Sequence, residues 1–234
     1  MNKLFFSWPQ KNRALPVICV CVGQVIWGFS YLFTRIAQSS ASPTVVLSMR
    51  FLASWVIMTA LIWSGKKSFS LKGKNFRPLL ALALLEPPYY FFESYGVYYS
   101  NATFAGTVMA FAPVVGILAA MLFLGEKPTR RQKIFSLLPT AGVIIITSVG
   151  SSMGIVKPLG AIFLFASQIV AAGMKLYNKK SSEEFSSFER TYAIVVANAI
   201  IFTIKSMIDL HGDVRAYAAP LGNPEYVFAL VVLC

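Results

Sequence analysis

Two carboxylates stand seven residues apart in the stretch LLEPPYYFFESYG, residues 84–96, inside a run that is otherwise apolar. On a helix seven residues turn through about 700°, so Glu86 and Glu93 point the same way to within about 20° and Tyr90 lies between them. The face reads Leu82, Glu86, Tyr90, Glu93, Val97, with Tyr89 and Gly96 beside it. An ionisable side chain deep in a bilayer costs about 2.5–3.5 kcal/mol on insertion scales, so two on one face are expected to look into a bundle and not at lipid. Pro87 and Pro88 have no N–H to donate, which strips the carbonyls of Ala83 and Leu84 of their helical partners. Free carbonyls at membrane depth are tolerated only against protein or a watery cavity. A carboxylate, two released acceptors and an expected kink therefore share one turn, the composition of a broken helix that lines a binding site.

The other costly residues fall into a pattern around this one. Gln24, Gly28, Tyr31 and Arg35 are spaced four, three and four along the first apolar run, with Trp27 alongside, and share a side of a helix. Depth matching gives Glu93 a partner: it lies about 22 Å along its span, Arg50 lies about 9 Å in from the opposite end of the preceding one, and the two levels agree in a slab of about 30 Å. A Glu93–Arg50 ion pair is expected, and it would lock two helices together. Glu86 has no equally matched cation and is the group placed to change protonation or meet a solute. Tyr89 and Tyr90, near the midplane beside a carboxylate, suit a flat or cationic ligand. Arg35 is near enough to a span end to snorkel. Thr103, Gly106, Thr107, Ala110 and Pro113 form a small-residue face, expected to be a packing seam.

What holds these residues is an all-α, polytopic membrane bundle. Of 234 residues 56% are hydrophobic and 13% charged, too apolar for the surface of a soluble domain of this size. Apolar runs of about 18–22 residues recur, at residues 15–37, 44–63, 78–99, 103–124, 133–150, 158–177 and 190–209. An eighth begins near Pro224 and reaches only about ten residues, half the length of a full span; ten helices are expected in the whole protein, with about seven and a half here. The segment 1–14 is read as cytoplasmic and retained, because no A-x-A-like cleavage site follows it.

The net charge of +12 reports topology. Lys3, Lys11 and Arg13, then Lys66, Lys67, Lys72, Lys74 and Arg77, then Lys127, Arg130, Arg131 and Lys133, then Lys179, Lys180 and Arg190 all fall on one side, against Lys157 and Arg215 on the other. This positive-inside asymmetry puts the N-terminus in the cytoplasm of a cell whose plasma membrane the chain crosses, and it removes the need for a nucleic-acid partner. Cys19, Cys21 and Cys234 are an odd set in apolar segments, His211 stands alone in a polar loop, and no metal, phosphate-loop or nucleophile-elbow motif appears. No cofactor is expected.

One constant shift superposes Arg35 on Lys175 and Arg50 on Arg190, and it also aligns the short turns at residues 41–43 and 181–183. Five spans separate equivalent points, so the halves run in opposite senses across the membrane. That is the pattern of an inverted repeat, 15–150 and 158–234, which places a solute site between the halves and permits alternating access.

Specific stretches add a resemblance. WGFSYLFTRIA (27–37) followed by SPTVVLSMRFLAS (42–54) resembles the first two helices of EamA-type transporters of the drug/metabolite transporter superfamily. SNATFAGTVMAFAPVVGILAAMLFLGEKPTRRQ (100–132) resembles that family's fourth helix, with its central proline at Pro113 and its terminal Leu-Gly-Glu at Leu124, Gly125 and Glu126; AGVIIITSVG (141–150) fits the fifth. The resemblance implies a carrier of small organic metabolites, often outward, through a central cavity, and Glu126 is read as a structural partner for the basic loop after it. The combined expectation is an exporter of amino acids, nucleobases or related solutes that uses Glu86 and Glu93, with protons as a possible coupling ion and Gln24, Trp27, Tyr31, Arg50, Tyr89 and Tyr90 around the path. The alternatives are a channel or non-transporting scaffold and, with no paired nucleophile and base in the spans, an intramembrane enzyme.

Overall fold

The computed structural model describes residues 14–124 and 157–234, with scattered residues between 128 and 141. Helices run α1 Ala14–Ala37, α2 Pro43–Trp63, α3 Arg77–Tyr99, α4 Ala102–Met109, α5 Ala112–Leu124, α6 Pro158–Ser181, α7 Ser187–Asp209, α8 Val214–Ala218 and α9 Pro224–Leu233, with a 3₁₀ turn at Ala219–Gly222. No strand occurs among the described residues. The molecule is an all-α membrane bundle; among the described residues α2, α6 and α7 are each long and apolar enough to span a bilayer.

The helix starts follow local chemistry. Proline, whose fixed φ and missing N–H suit the first turn, opens α2, α3, α6 and α9. Ser186 and Glu189 form a reciprocal capping box at the start of α7, and Asn101 accepts from Phe104 N over 2.8 Å at the start of α4.

Two expectations about helix breaks are corrected. The third span is one helix that passes through Pro87 and Pro88 without interruption. The break falls in the fourth span, which divides into α4 and α5: Phe111 N bonds back only three residues, to Val108 O at 3.1 Å, and Pro113, in the first turn of α5, brings no N–H. The fifth span, apart from scattered residues, and Glu126 lie outside the described residues. The short α8 and the 3₁₀ turn after it were not foreseen.

Helix α3 is central, lying along α6 and also against α7, while α2 packs on α7 and α1 on α9. Close approach at one end of α3 needs glycine. A Cβ on Gly160 would stand 2.9 Å from the Tyr99 carbonyl carbon, and one on Gly96 2.6 Å from Leu164 Cγ. Apolar clusters fill the joints: Tyr31, Val97, Ala105, Val108 and Leu164 unite α1, α3, α4 and α6, and Leu47, Phe51, Val195, Ala199 and Phe202 unite α2 and α7. The α2–α7 seam also carries a hydroxyl contact, Ser48 Oγ to Thr203 Oγ1 at 2.9 Å, and Ser48 Oγ reaches the Tyr217 hydroxyl of α8 at 2.7 Å. Ile162, Phe165 and Ile169 on α6 and Ile200, Ile204 and Ile208 on α7 are exposed at helical spacing as apolar stripes.

Candidate functional site

Both α3 carboxylates face the bundle, each 8% exposed. Glu86 lines a cavity of about 430 Å³ bounded by α1, α3, α6 and α7, together with Leu82 and Tyr90 of the face read from the sequence. Glu86 makes no hydrogen bond or ion pair among the described residues, whereas Glu93 is fully engaged on one oxygen: its Oε1 accepts from the Tyr31 hydroxyl at 2.8 Å and from the Tyr89 hydroxyl at 2.6 Å.

The expected Glu93–Arg50 pair is not formed. The two ion pairs among the described residues are Lys74–Glu189 and Lys205–Asp209. Arg50 instead sets its guanidinium 5.5 Å from the Tyr90 ring centroid and 5.6 Å from that of Phe51. Depth was matched but rotation was not: hydroxyls from α1 and from the preceding turn of α3 reach Glu93, and aromatic faces take the cation. Arg50 and Tyr90 also line a cavity of about 500 Å³ between α1, α2 and α9, which shares Trp27 and Tyr90 with the one at Glu86.

The α1 stripe borders a cavity, with Tyr31 buried and Gln24, Trp27 and Gly28 exposed. Gln24, Trp27, Gly28 and Tyr31 line a larger cavity of about 720 Å³ whose far wall is Gln168, Ala171 and Lys175 of α6. Tyr89 contributes from α3, and Gly106, Met109, Ala110 and Ala112 contribute from either side of the α4–α5 break. The small residues Gly106 and Ala110 therefore border open space, and the buried seam of α4 is its other face, Ala105 and Val108. Trp27, Tyr89, Ala171 and Lys175 border both this cavity and the one at Glu86, so the two adjoin. Arg35, at the end of the stripe, is exposed and donates to the Tyr98 carbonyl at 3.0 Å, an anchoring contact. Pro113 lies within α5.

Sequence reasoning missed several lining residues. Gln168 is buried and donates to Met109 Sδ. Asn178 and Arg190 are joined, Arg190 Nη1 donating to the Asn178 carbonyl at 2.8 Å and to Asn178 Oδ1 at 2.7 Å. One signal was available: Gln168 and Lys175 are seven apart on α6, the same polar-face spacing as Glu86 and Glu93.

A chamber bordered by buried carboxylate, cations and aromatic rings inside a membrane bundle has the composition of a solute-binding site. The comparisons with known proteins agree. Residues 14–148 match the EamA-like transporter family. The chain is similar to the Bacillus subtilis (strain 168) protein named uncharacterized transporter YcxC, 30% identical over 95% of this chain and 73% of that protein. It is also similar to an uncharacterized transporter of Archaeoglobus fulgidus, 22% identical over 85% of this chain and 71% of that one. The Escherichia coli (strain K12) protein named uncharacterized inner membrane transporter YedA is 25% identical over 79% of this chain and 59% of its own length. The chain belongs to the EamA-like transporter family and is a multi-pass membrane transporter.

Proposed function

We propose that the protein is an exporter of small organic solutes, of the size and polarity of amino acids or nucleobases, working by alternating access between two inverted halves, 15–150 and 158 onward. The reading sets the N-terminus and the basic loops in the cytoplasm, by the positive-inside asymmetry, and the bundle in the plasma membrane. Glu86 stands nine residues into α3, about 14 Å from its start and near the middle of a bilayer of about 30 Å. It is the group that meets solute and carries a proton, and Glu93 with its two tyrosines is the joint between α1 and α3. Gln24, Trp27, Tyr31, Tyr89 and Tyr90 shape the path, and Arg50 holds Tyr90.

One observation carries this reading: a buried carboxylate without a hydrogen-bond or ion-pair partner among the described residues opens on a cavity at the middle of a span. A packing role would leave no space beside it, and lipid exposure would leave it unburied.

The test is flux in proteoliposomes holding the full-length protein. Counterflow of a radiolabelled amino acid and nucleobase panel should saturate with concentration and respond to an imposed pH gradient, and Glu86→Gln should lower the gradient-driven component at least tenfold. Unsaturable flux would point to a channel, and unchanged flux and pH response in the variant would remove Glu86 from the mechanism.

A further inference from the structure

The cavity at Glu86 has walls of opposite charge that do not touch. Glu86 stands on α3, while Lys175 on α6 and Arg190 on α7 line the same space. Like Glu86, Lys175 makes no hydrogen bond or ion pair among the described residues. A Cβ on Gly116 would lie 3.1 Å from Lys175 Nζ, so the bare backbone of α5 leaves room for the ammonium group. Arg190 is held from one side, by Asn178 and by Ser187 Oγ at 3.2 Å from Nη2, while its Nε is buried with no acceptor among the described residues.

Had the carboxylate and the cations served only each other, contact would satisfy all three most simply. They are instead set across about 430 Å³, within the volume range of small-molecule sites. The Arg190 guanidinium, with both Nη1 hydrogens held by Asn178 and one on Nη2 by Ser187, is fixed in place and offers its charge and its remaining Nη2 hydrogen to a carboxylate, and Lys175 adds a point charge from α6. A dianion such as phosphate would meet repulsion from Glu86. A molecule with both charges satisfies both walls, and its remaining bulk can extend past Trp27 and Tyr89 into the adjoining cavity.

Building on the carrier reading, we propose that Lys175 and Arg190 form an anion subsite that takes the carboxylate of a zwitterionic solute, while Glu86 takes its ammonium group. The solute is thereby narrowed to compounds that carry both a carboxylate and an amine, and nucleobases are excluded.

The test is binding to purified full-length protein in phosphatidylcholine nanodiscs. Two sets of ligands share a skeleton: phenylalanine, phenethylamine and 3-phenylpropionate; alanine, ethylamine and propionate. In at least one set the zwitterion should bind ten times tighter than either singly charged analogue. Lys175→Gln and Arg190→Gln should each erase the advantage over the amine, Lys175→Arg should keep most of it, and Glu86→Gln should erase the advantage over the acid. Each ratio is read within one variant, so a partly misfolded sample does not alter it. The proposal falls if no zwitterion out-binds its analogues or if the lysine and arginine variants keep the wild-type ratio. It falls too if phosphatidylglycerol nanodiscs abolish binding competitively, which would make the subsite a lipid headgroup site. Saturable flux of solutes without a carboxylate would sink the subsite and leave the carrier, whereas zwitterion binding without flux would do the reverse.

Discussion

Tyr31 on α1 donates its hydroxyl to Glu93 Oε1 on α3 over 2.8 Å, and all three partners of this cluster, Tyr31, Tyr89 and Glu93, are buried. The Tyr89 contact to the same oxygen is four residues away on one helix, whereas the Tyr31 contact crosses between helices. Removing a hydroxyl from a buried carboxylate costs about 1–3 kcal/mol. Tyr31→Phe should therefore lower the thermal unfolding temperature of the full-length protein in detergent more than Tyr89→Phe does, since only the former unties α1 from α3. An equal or larger loss for Tyr89→Phe would count against Glu93 as an interhelical joint.

Arg50 tests the complementary point. Its guanidinium rests on Tyr90 and Phe51 and not on Glu93. A double-mutant cycle between Arg50→Met and Glu93→Gln should give a coupling of less than about 0.5 kcal/mol, while one between Arg50→Met and Tyr90→Leu should give about 0.5–2 kcal/mol, the range of a cation over a ring. The reverse ordering, measured by unfolding of the six proteins of the two cycles, would restore the salt bridge that depth alone predicts.

These contacts mark where the sequence is legible and where it is not. Spans could be placed because apolar runs of membrane length begin at prolines such as Pro43 and Pro158, whose effect on the backbone is local. Glu86 and Glu93 could be placed in the interior because each is too costly for lipid, a one-residue argument that needs no neighbour, whereas Gln24, read the same way, is exposed. Which partner each meets depends on how helices are rotated against one another, and so Arg50 and Arg190 escaped it. The helix break escaped for a similar reason. Two prolines in α3 are the louder signal, yet packing along α6 and α7 supports that helix through them, while the weaker α4–α5 segment, with Pro113 after it, parts at Ala110–Phe111.

The α3–α6 contact makes a sharp prediction because its obstacle is backbone. At Gly160 the nearest atoms to an added Cβ are the Tyr99 carbonyl carbon at 2.9 Å, its oxygen at 3.0 Å and Ser100 N at 3.1 Å, none of which can swing aside. Gly160→Ala should destabilise by about 1–3 kcal/mol. Gly106 in α4 has nothing within 4 Å of its Cβ position, so Gly106→Ala should be neutral or should stabilise by up to about 1 kcal/mol, through helix propensity alone. Denaturant or thermal unfolding of both variants checks the pair, and equal effects would show that α6 can shift away from α3.

On the side carrying the basic loops, Glu189 does three jobs at once. It completes the capping box with Ser186, accepts from Ser70 N at 3.3 Å, and pairs with Lys74 Nζ at 2.6 Å, so it fastens the loop between α2 and α3 to the start of α7. Its side chain is 8% exposed and that of Lys74 27%. Loss of the lysine removes one partly solvated charge contact, worth at most about 1 kcal/mol once screening is counted. Loss of the glutamate removes that contact, the cap and the loop attachment, with the cap alone worth about 1 kcal/mol. Glu189→Ala should therefore destabilise by about 2 kcal/mol or more, Lys74→Met by less than half as much, and Glu189→Gln should fall between them by keeping a cap acceptor. Thermal unfolding at low and at high salt separates the contributions: added salt should shrink the Lys74→Met effect and leave most of the Glu189→Ala effect, and equal losses in the two variants would reduce the glutamate to its ion pair.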